Sequence, residues 1–277
     1  MKSFIRALGR EAESRAAALA TNRGGGTATL YFGGGTPSML SDTHLGHLME
    51  TLDRLVPVDK LDEFSFEANP ATFTEKKVRF WRSLGMTRVS LGVQSLDSGI
   101  LHLLGREHTP AQALHSVEML KNAGMPHINM DLMFAIPGQT LSIWEATLKE
   151  AVRAGTDHIS AYNLTYEEDT EFFRSLLRGE KRQDPDEDAA FFELAEHMLE
   201  AAGLRHYETS NYAREGCISP HNMAYWKGED YVGIGPGAVS TINGIRYSNT
   251  RDTDAYIRST LENGLPLSEQ ELSLIHI

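Results

Sequence analysis

The sequence predicts an α/β fold, built as a partial parallel (β/α) barrel with a smaller C-terminal α+β region. Strand-like and helix-like segments alternate through residues 1–175. The strand-like segments end about 30 residues apart, which is the length of one βα unit in a parallel barrel. Polar residues follow these segments, at the strand ends where such barrels hold their ligands. These three observations favour five consecutive βα-type units.

Each predicted strand is a short run enriched in β-branched and aromatic residues. The five runs are residues 27–32 (TATLYF), 63–67 (EFSFE), 88–94 (RVSLGVQ), 127–134 (HINMDLMF) and 158–164 (HISAYNL). Helix signals lie between them. Thr109-Pro110, for example, opens the segment AQALHSVEMLKNAG, which Gly124 closes. We expect the barrel-like region to end near Phe173.

A charged linker separates this region from the second part, which we place at residues 176–271. Asp184 and Pro185 predict a helix start. The apolar stripe of that helix contains Phe191, Leu194, Met198 and Leu199. The last six residues, LSLIHI, resemble the translation of a transposon end used to prepare sequencing libraries. We interpret residues 272–277 as an artefactual tail, and a short apolar tail is the alternative.

The composition argues against several classes of protein. The formal net charge is −12 and no run of Lys or Arg interrupts it, so nucleic acid is not expected as a partner. The N-terminal segment reads as a charged amphipathic helix, and no stretch reaches the ~20 apolar residues that cross a bilayer. A cytoplasmic location is the expectation. The single cysteine, Cys217, makes no internal disulfide and cannot hold a metal cluster by itself.

The first predicted strand stops at three glycines, Gly33, Gly34 and Gly35, followed by Thr36 and Pro37. Glycines let the backbone turn sharply and bring its bare carbonyl and amide groups against a ligand. The turn has neither the G-K-[ST] ending of a phosphate loop nor the G-x-G-x-x-G of a dinucleotide fold. These residues alone leave a structural turn and a ligand-binding turn both open.

Polar residues at the other strand ends are candidates for the same site. We interpret Glu67, Gln94 and Asp131 as ligand-facing, because the ends of parallel strands share one face. A charge at Asp131, inside an apolar strand, would be costly if it were buried without a partner. For Asn69 and Thr165 we favour the simpler role of capping helices or binding loop backbone.

Eight motifs in the same order resemble the oxygen-independent coproporphyrinogen III oxidase-like family of radical S-adenosylmethionine (SAM) proteins. They are GGGTPSML, FEANP, SLGVQSLD, LLGREHT, INMDLMFAIPGQT, YETSNYA, HNMAYW and YVGIGPGAVS. Within that family, HNMAYW and YETSNYA are similar to the haem chaperone branch. The resemblance implies a radical SAM barrel, and because the first strand here already ends in GGGTP, it predicts an open barrel that lacks its first strand.

The resemblance implies that S-adenosylmethionine is the cofactor and assigns eight residues to it. They are Gly33, Gly34, Gly35, Thr36, Glu67, Gln94, Arg106 and Asp131. Backbone carbonyls of the glycine turn would accept from the ammonium group, and the guanidinium of Arg106 would clamp the carboxylate. A surface salt bridge with Glu107 is the alternative role for Arg106.

The family also uses a [4Fe–4S] cluster, held by three cysteines in a C-x₃-C-x₂-C loop after the first barrel strand. The sequence has no such loop. We therefore expect a fragment that starts at an internal methionine and cannot form the adenosyl radical. A native variant that has lost its cluster is the alternative.

The HNMAYW motif is the candidate haem site. The resemblance implies that His221 ligates the iron and that Asn222, Tyr225 and Trp226 contact the macrocycle. From the residues alone, a solitary histidine is more often structural, and Cys217 is a rival thiolate ligand ranked below His221.

The sequence departs from the family pattern at two positions. Val239 stands where histidine is usual, which puts a porphyrin role for that loop in doubt. Ala135 stands where glycine is usual, which is expected only to tighten the backbone.

The resulting hypothesis is a haem chaperone-like protein that binds haem and passes it to an acceptor protein. The alternative is an oxygen-independent coproporphyrinogen III oxidase, which decarboxylates porphyrinogen propionates oxidatively. A non-catalytic binding module is a third interpretation. Haem or porphyrin and a haem-accepting protein are the expected partners, and peripheral association with a membrane is also considered.

Overall fold

The computed structural model describes residues 1–17, 26–164, 185–266 and 268–272. Helix α1 opens the chain, and five strands follow where the sequence predicts them. The elements are α1 (Lys2–Ser14), β1 (Thr29–Phe32), β2 (Glu63–Ala68), β3 (Arg88–Gln94), β4 (His127–Phe134) and β5 (His158–Asn163). Their bounds agree with the predicted runs to within two residues, so the five predicted strands are confirmed.

Helices connect the parallel strands. They are α2 (Asp42–Leu55), α3 (Glu75–Ser83), α4 (Ser98–Leu103), α5 (Pro110–Asn122) and α6 (Leu141–Ala154). Their starts are set by side-chain caps, since a hydroxyl or carboxylate oxygen accepts a free backbone N–H of the first turn. In α5, Thr109 and Gln112 form a reciprocal capping box ahead of Pro110, as the sequence signal predicts.

Strands β1 to β5 form a parallel sheet in sequence order, and two short antiparallel strands extend it beyond β5. The full order is β1-β2-β3-β4-β5-β7-β6, with β6 at Arg205–Glu208 and β7 at Asn211–Ala213. Among the described residues β1 pairs only with β2. The sheet is therefore an open, partial barrel, which confirms the predicted fold class.

The C-terminal residues add a helical and a small antiparallel layer. Helix α7 (Pro185–Ala201) begins at the predicted proline. The backbone carbonyl of its Phe191 accepts a hydrogen bond from the indole N–H of Trp144 on α6. Beyond the short helix α8 (Pro220–Trp226) lies a three-stranded sheet with one helix. These elements are β8 (Val239–Ile242), β9 (Ile245–Asn249), α9 (Thr253–Asn263) and β10 (Ser268–Leu272).

Several predictions fall on residues outside the described ranges. They concern Phe173, Thr165, Asp184, the boundary between residues 175 and 176, and the tail from residue 273 onward. Leu272, the first residue of the proposed tail, is the last residue of β10.

The main core lies between the convex face of the sheet and its helices. Phe66 on β2 packs against Trp81 of α3, with ring centroids 4.8 Å apart. Burying aromatic side chains of this size contributes about 1.5–3 kcal/mol each. No helix in the described part of the chain is long and apolar enough to cross a membrane.

A buried carboxylate ties the first helix to the C-terminal elements. Glu11 of α1 accepts hydrogen bonds from Arg15, from the Asn249 amide, from the backbone N–H of Gly235 and from the Tyr256 hydroxyl. Because a buried carboxylate is tolerated only when its oxygens are satisfied, α1 and the segment 235–256 fold against each other.

Candidate functional site

The concave face of the sheet is polar. The inward residues alternate with apolar ones along each strand, as in R-V-S-L-G-V-Q of β3. Most parallel barrels fill this space with branched apolar side chains. Here it holds Glu63, Ser65, Glu67, Arg88, Ser90, Gln94, Asn129, Asp131, His158, Ser160 and Tyr162. A face this polar is suited to binding charged groups and water-soluble ligands.

A pocket of about 230 Å³ opens at the C-terminal ends of the strands. Six of the eight residues predicted for the cofactor line it together: Gly35, Thr36, Glu67, Gln94, Arg106 and Asp131. Pro37, Ala68, Asn69, Ser90, Gly92 and Tyr162 complete the lining. The structure thus brings the predicted strand-end residues into one site, and adds Ser90 and Tyr162, which the sequence interpretation missed.

The glycine turn forms one wall of the pocket. Gly34 has φ +86°, a backbone conformation that favours glycine, and its N–H donates to the Glu67 carboxylate. A Cβ on Gly33 would lie 2.8 Å from Glu67 Oε1 and closer still to the ring of Tyr31. The turn therefore needs glycine at both positions. Gly33 and Gly34 do not line the pocket themselves, but both contact Glu67, which does.

Two carboxylic acids face the pocket. Asp131 accepts hydrogen bonds from the Ser90 hydroxyl at 2.9 Å and from the Asn129 amide at 2.7 Å. Burial raises the pKa of Asp131 to about 6, despite these donors, and the charge of Glu67 adds to the effect. Burial also raises the pKa of Glu67. Both shifts mean that hydrogen bonds within the protein do not fully stabilise the two negative charges. A cationic ligand in the pocket would stabilise them further.

Gln94 holds a strained conformation at the pocket edge. Its φ is +67°, in the left-handed region, and its side-chain oxygen accepts from the Tyr162 hydroxyl at 2.8 Å. Strain of this kind concentrates at functional sites. Arg106 is half-buried in the lining, and no ion pair with the exposed Glu107 occurs among the described residues, so the surface salt bridge is not observed.

Asn69 lies both in the loop after β2 and in the pocket lining. Its backbone carbonyl oxygen accepts from the Thr72 hydroxyl at 2.6 Å, so its main chain takes part in the loop that follows β2. Its side-chain amide also donates to Thr36 at 3.3 Å inside the pocket lining.

The donor set of this pocket fits a zwitterion that carries extra positive charge. Two carboxylates and the glycine-turn backbone offer hydrogen-bond acceptors to an ammonium group, and the carboxylates also attract a sulfonium charge. The guanidinium of Arg106 can donate two hydrogen bonds to a carboxylate. S-adenosylmethionine has this chemistry. The cluster does not fit the residues present, because Cys217 supplies a single thiolate.

The second candidate site is the His221 imidazole on α8. Its Nδ1 lies 2.8 Å from the Thr29 hydroxyl of β1. Its ring stacks on Tyr31, with centroids 4.7 Å apart and planes inclined by 3°. The ring of Tyr225 meets it edge-on at 5.1 Å. Three contacts hold the ring in one orientation. Burial lowers the pKa of His221, so the imidazole is neutral at pH 7.

The other residues of the HNMAYW motif lie around this histidine. Tyr225 is 45% exposed and Trp226 is 59% exposed, although the Trp226 indole donates to Glu208 at 2.7 Å. Asn222 turns the other way and donates to the Tyr207 hydroxyl at 3.4 Å. The helix thus presents two aromatic side chains to solvent and anchors itself through Asn222.

A buried ion pair under α8 is a feature that the sequence interpretation missed. Glu63 and Arg88 pair at 2.7 Å with side chains 3% and 5% exposed. Ser219, the N-cap of α8, donates to Glu63 at 2.9 Å, and Arg88 donates to the carbonyl of Cys217. The segment leading into α8 therefore seals the N-terminal end of the concave face.

A second missed feature is a chain of hydrogen bonds from the pocket to α8. Asn129, which donates to Asp131, accepts at its oxygen from His158 Nδ1 across 2.7 Å. His158 Nε2 lies 2.8 Å from the Tyr207 hydroxyl, which Asn222 contacts. Burial lowers the pKa of His158 to about 3, so it links its partners as a neutral ring.

Three further residues from the sequence analysis have defined places. The thiol of Cys217 lies near His127 and Asp157 at the N-terminal ends of β4 and β5. Val239 begins β8, and its carbonyl oxygen would lie 2.1 Å from a Cβ on Gly233, so the two backbones are in close contact. Ala135 has φ +55°, which explains why glycine suits this position.

A larger open groove of about 840 Å³ lies between α1 and α2. Its lining includes Lys2, Arg6 and Arg10. None of the residues predicted for the cofactor or for haem borders it, so the strand-end pocket remains the candidate site.

The fold, the glycine turn and the strand-end pocket define the class. The profile of the radical SAM superfamily matches residues 9–151, and the chain belongs to that superfamily.

Its relatives include proteins named Heme chaperone HemW. The chain is 36% identical to that of Bacillus subtilis over 240 residues, which are 86% of this chain and 63% of the relative. It is 36% identical to that of Lactococcus lactis over 83% of this chain and 61% of the relative. The resemblance to the haem chaperone branch is confirmed. The chain spans about three fifths of the length of these relatives.

The solved structure of Escherichia coli coproporphyrinogen III oxidase (HemN) has the same fold. It superposes with a TM-score of 0.81 over 98% of this chain and 64% of that chain, at 22% sequence identity. The similarity supports the partial barrel with its C-terminal region, and at this identity it concerns the fold alone.

Proposed function

We propose that this chain is a haem chaperone-like radical SAM protein, which binds haem and passes it to an acceptor protein. The similarity to proteins named Heme chaperone HemW supports this function. The observation that carries it is the state of His221: a neutral, oriented imidazole beside exposed aromatic side chains.

The hydrogen bond to Thr29 prepares His221 for iron. When the Thr29 oxygen accepts from Nδ1–H, the proton resides on Nδ1 and the lone pair of Nε2 is free. Partners of this kind fix the tautomer and orientation of metal-binding histidines. Stacking on Tyr31 prevents the ring from rotating.

The exposed aromatic rings provide the area that a flat macrocycle needs. Tyr225 and Trp226 lie on the same short helix as His221, and aromatic rings contribute about 0.5–1.5 kcal/mol per stacked pair beyond area burial. A site that is open on one side suits a carrier, because bound haem stays accessible to the next protein.

The strand-end pocket is proposed to bind S-adenosylmethionine. Glu67 and Asp131 would accept hydrogen bonds from its ammonium group and attract its sulfonium charge, and Arg106 would bind its carboxylate. In radical SAM proteins this cofactor supplies the adenosyl group for radical chemistry. The residues present do not fit the cluster, because Cys217 is the single cysteine of the sequence.

A cytoplasmic location and a haem-accepting protein as partner are part of the same proposal. The name Heme chaperone HemW of the bacterial relatives supports the haem-accepting partner.

Ferric haem titration tests the proposal. Wild-type protein should bind haem with a shifted Soret band, and His221→Ala should lose that shift and bind about ten-fold or more weakly, since an axial ligand is gone. His115→Ala, which changes an exposed surface histidine, and Cys217→Ser should both behave as wild type.

The competing function is tested in parallel. If His221→Ala keeps the wild-type spectrum and affinity, the proposed haem site is wrong. Release of carbon dioxide from coproporphyrinogen III would instead support the oxidase, and this assay uses a form of the protein that carries the family's cysteine loop.

A further inference from the structure

Three different metal-binding side chains converge at the N-terminal end of the sheet, opposite the strand-end pocket. His127 is the first residue of β4, Asp157 precedes β5, and Cys217 lies between β7 and α8. Their nitrogen, oxygen and sulfur donor atoms all lie within 4.8 Å of one another. All three residues are half-buried, so an ion can reach them from solvent.

The chain holds these residues in place by backbone hydrogen bonds. Asp157 Oδ1 accepts from the Ile128 N–H at 2.8 Å, and its Oδ2 lies 2.6 Å from His127 Nδ1. The backbone carbonyl of Asp157 accepts from the Arg214 N–H, and the Arg214 carbonyl accepts from the Cys217 N–H. The loop that carries the thiol is therefore tied directly to the residue that carries the carboxylate.

The donor set selects among metals. Thiolate and imidazole ligands suit Zn²⁺, whereas Mg²⁺ and Ca²⁺ prefer oxygen ligands. Zinc bonds of about 2.0–2.3 Å place the donors of a tetrahedral site roughly 3.5 Å apart, so closure needs side-chain movements of about 1 Å. The positive charge of nearby Arg88 is paired with Glu63 at 2.7 Å.

We propose that His127, Asp157 and Cys217 form a zinc site, with water as the fourth ligand. The ion replaces the thiol proton and the hydrogen bond between His127 and Asp157. Cys217 lies two residues before the N-cap of α8, so the bound ion links the N-terminal end of that helix to the sheet.

The lone thiol of the chain provides the test. In metal-free protein, one equivalent of Zn²⁺ should slow the reaction of Cys217 with a disulfide reagent by about ten-fold or more, since a zinc-bound thiolate no longer attacks freely. Co²⁺ should give a thiolate-to-metal charge-transfer band. His127→Ala and Asp157→Asn should lose the protection, and His115→Ala, which alters an exposed His–Glu pair, should keep it.

Competition with a chromogenic chelator measures stoichiometry and does not depend on the thiol reaction. Cys217→Ser should lose the tight equivalent of zinc while its melting temperature stays that of the metal-free protein. Unchanged thiol reactivity at saturating Zn²⁺, absence of the charge-transfer band, or equal zinc binding by Cys217→Ser would overturn the proposal.

Discussion

The hydrogen bond between Thr29 and His221 can be removed with little change in shape. Thr29→Val replaces the hydroxyl by a methyl group and keeps a β-branched side chain in β1. The variant leaves Nδ1, 2.8 Å from the former oxygen, without its acceptor. The neutral ring is then free to move its proton to Nε2, the atom that must bind iron.

The expected loss follows from the strength of one such bond. A hydrogen bond contributes about 0.5–1.5 kcal/mol net, and partners of metal-binding histidines contribute about 10–100-fold to affinity. We expect haem affinity to fall about ten-fold, near 1.4 kcal/mol, by Soret titration. The band position should stay that of wild type, because His221 still ligates.

A matched substitution separates this effect from a general loss of stability. Thr147→Val makes the same change at a buried hydroxyl on α6 that has no hydrogen-bond partner in the described part of the chain, and should leave haem affinity unchanged. Equal affinities of Thr29→Val and wild type would refute the role of Thr29. A shifted Soret band in Thr29→Val would show instead that Thr29 determines which protein group binds the haem iron.

Four other outcomes are expected. Ala135→Gly should raise the free energy of unfolding by about 0.5–1 kcal/mol, because it relieves a left-handed φ. S-adenosylmethionine affinity should fall about ten-fold as the pH drops from 7.5 to 5, because Asp131, with its pKa near 6, gains a proton and loses its charge. Glu63→Gln should cost about 3–5 kcal/mol, since Arg88 keeps an uncompensated buried charge. Reconstitution with iron and sulfide should give no four-iron absorption, because Cys217 is a single thiol.

Each of these has a control and a contrary result. Ala146→Gly, at an exposed position within α6, should lose about 1 kcal/mol, so equal losses at residues 135 and 146 would contradict the strain argument. Asp131→Asn should flatten the pH dependence of cofactor binding measured by calorimetry. Glu75→Gln, in an exposed ion pair, should cost below about 1 kcal/mol by chemical denaturation. Formation of 5′-deoxyadenosine by the chain would contradict the cluster prediction.

The strands and the strand-end pocket could be predicted because both depend on local patterns. A β-branched run sets a strand, and parallel strands bring their C-terminal residues together, so Glu67 and Asp131 were predicted to share a face. The ion pair of Glu63 with Arg88 could not be assigned, because Ser219, which completes it, is 156 positions from Glu63. The period-two pattern Arg88, Ser90, Gly92, Gln94 does carry the signal for a polar concave face.

Two residues with positive φ, one in the pocket lining and one just after β4, show a different limit. Gln94 and Ala135 have ordinary side chains, and nothing in their types predicts a left-handed backbone. Cys217 shows a further limit. From the sequence it is a rival haem ligand, ranked below His221, because it lies only four residues before that histidine. Its neighbours in space are His127 and Asp157, which come from other βα units. They are 60 or more positions away in the sequence, so no local sequence pattern contains them together with Cys217.

The polar concave face also makes β2 and β3 depend on a segment that comes much later in the chain. Strands β2 and β3 emerge long before residue 219, and until then Glu63 and Arg88 remain hydrated, where an ion pair contributes little. The N-terminal end of this face is covered only when Ser219 and the segment leading into α8 are in place. Without that segment the N-terminal end of the concave face is open to water. The part of the chain that leads to His221 therefore completes the burial of Glu63 and Arg88.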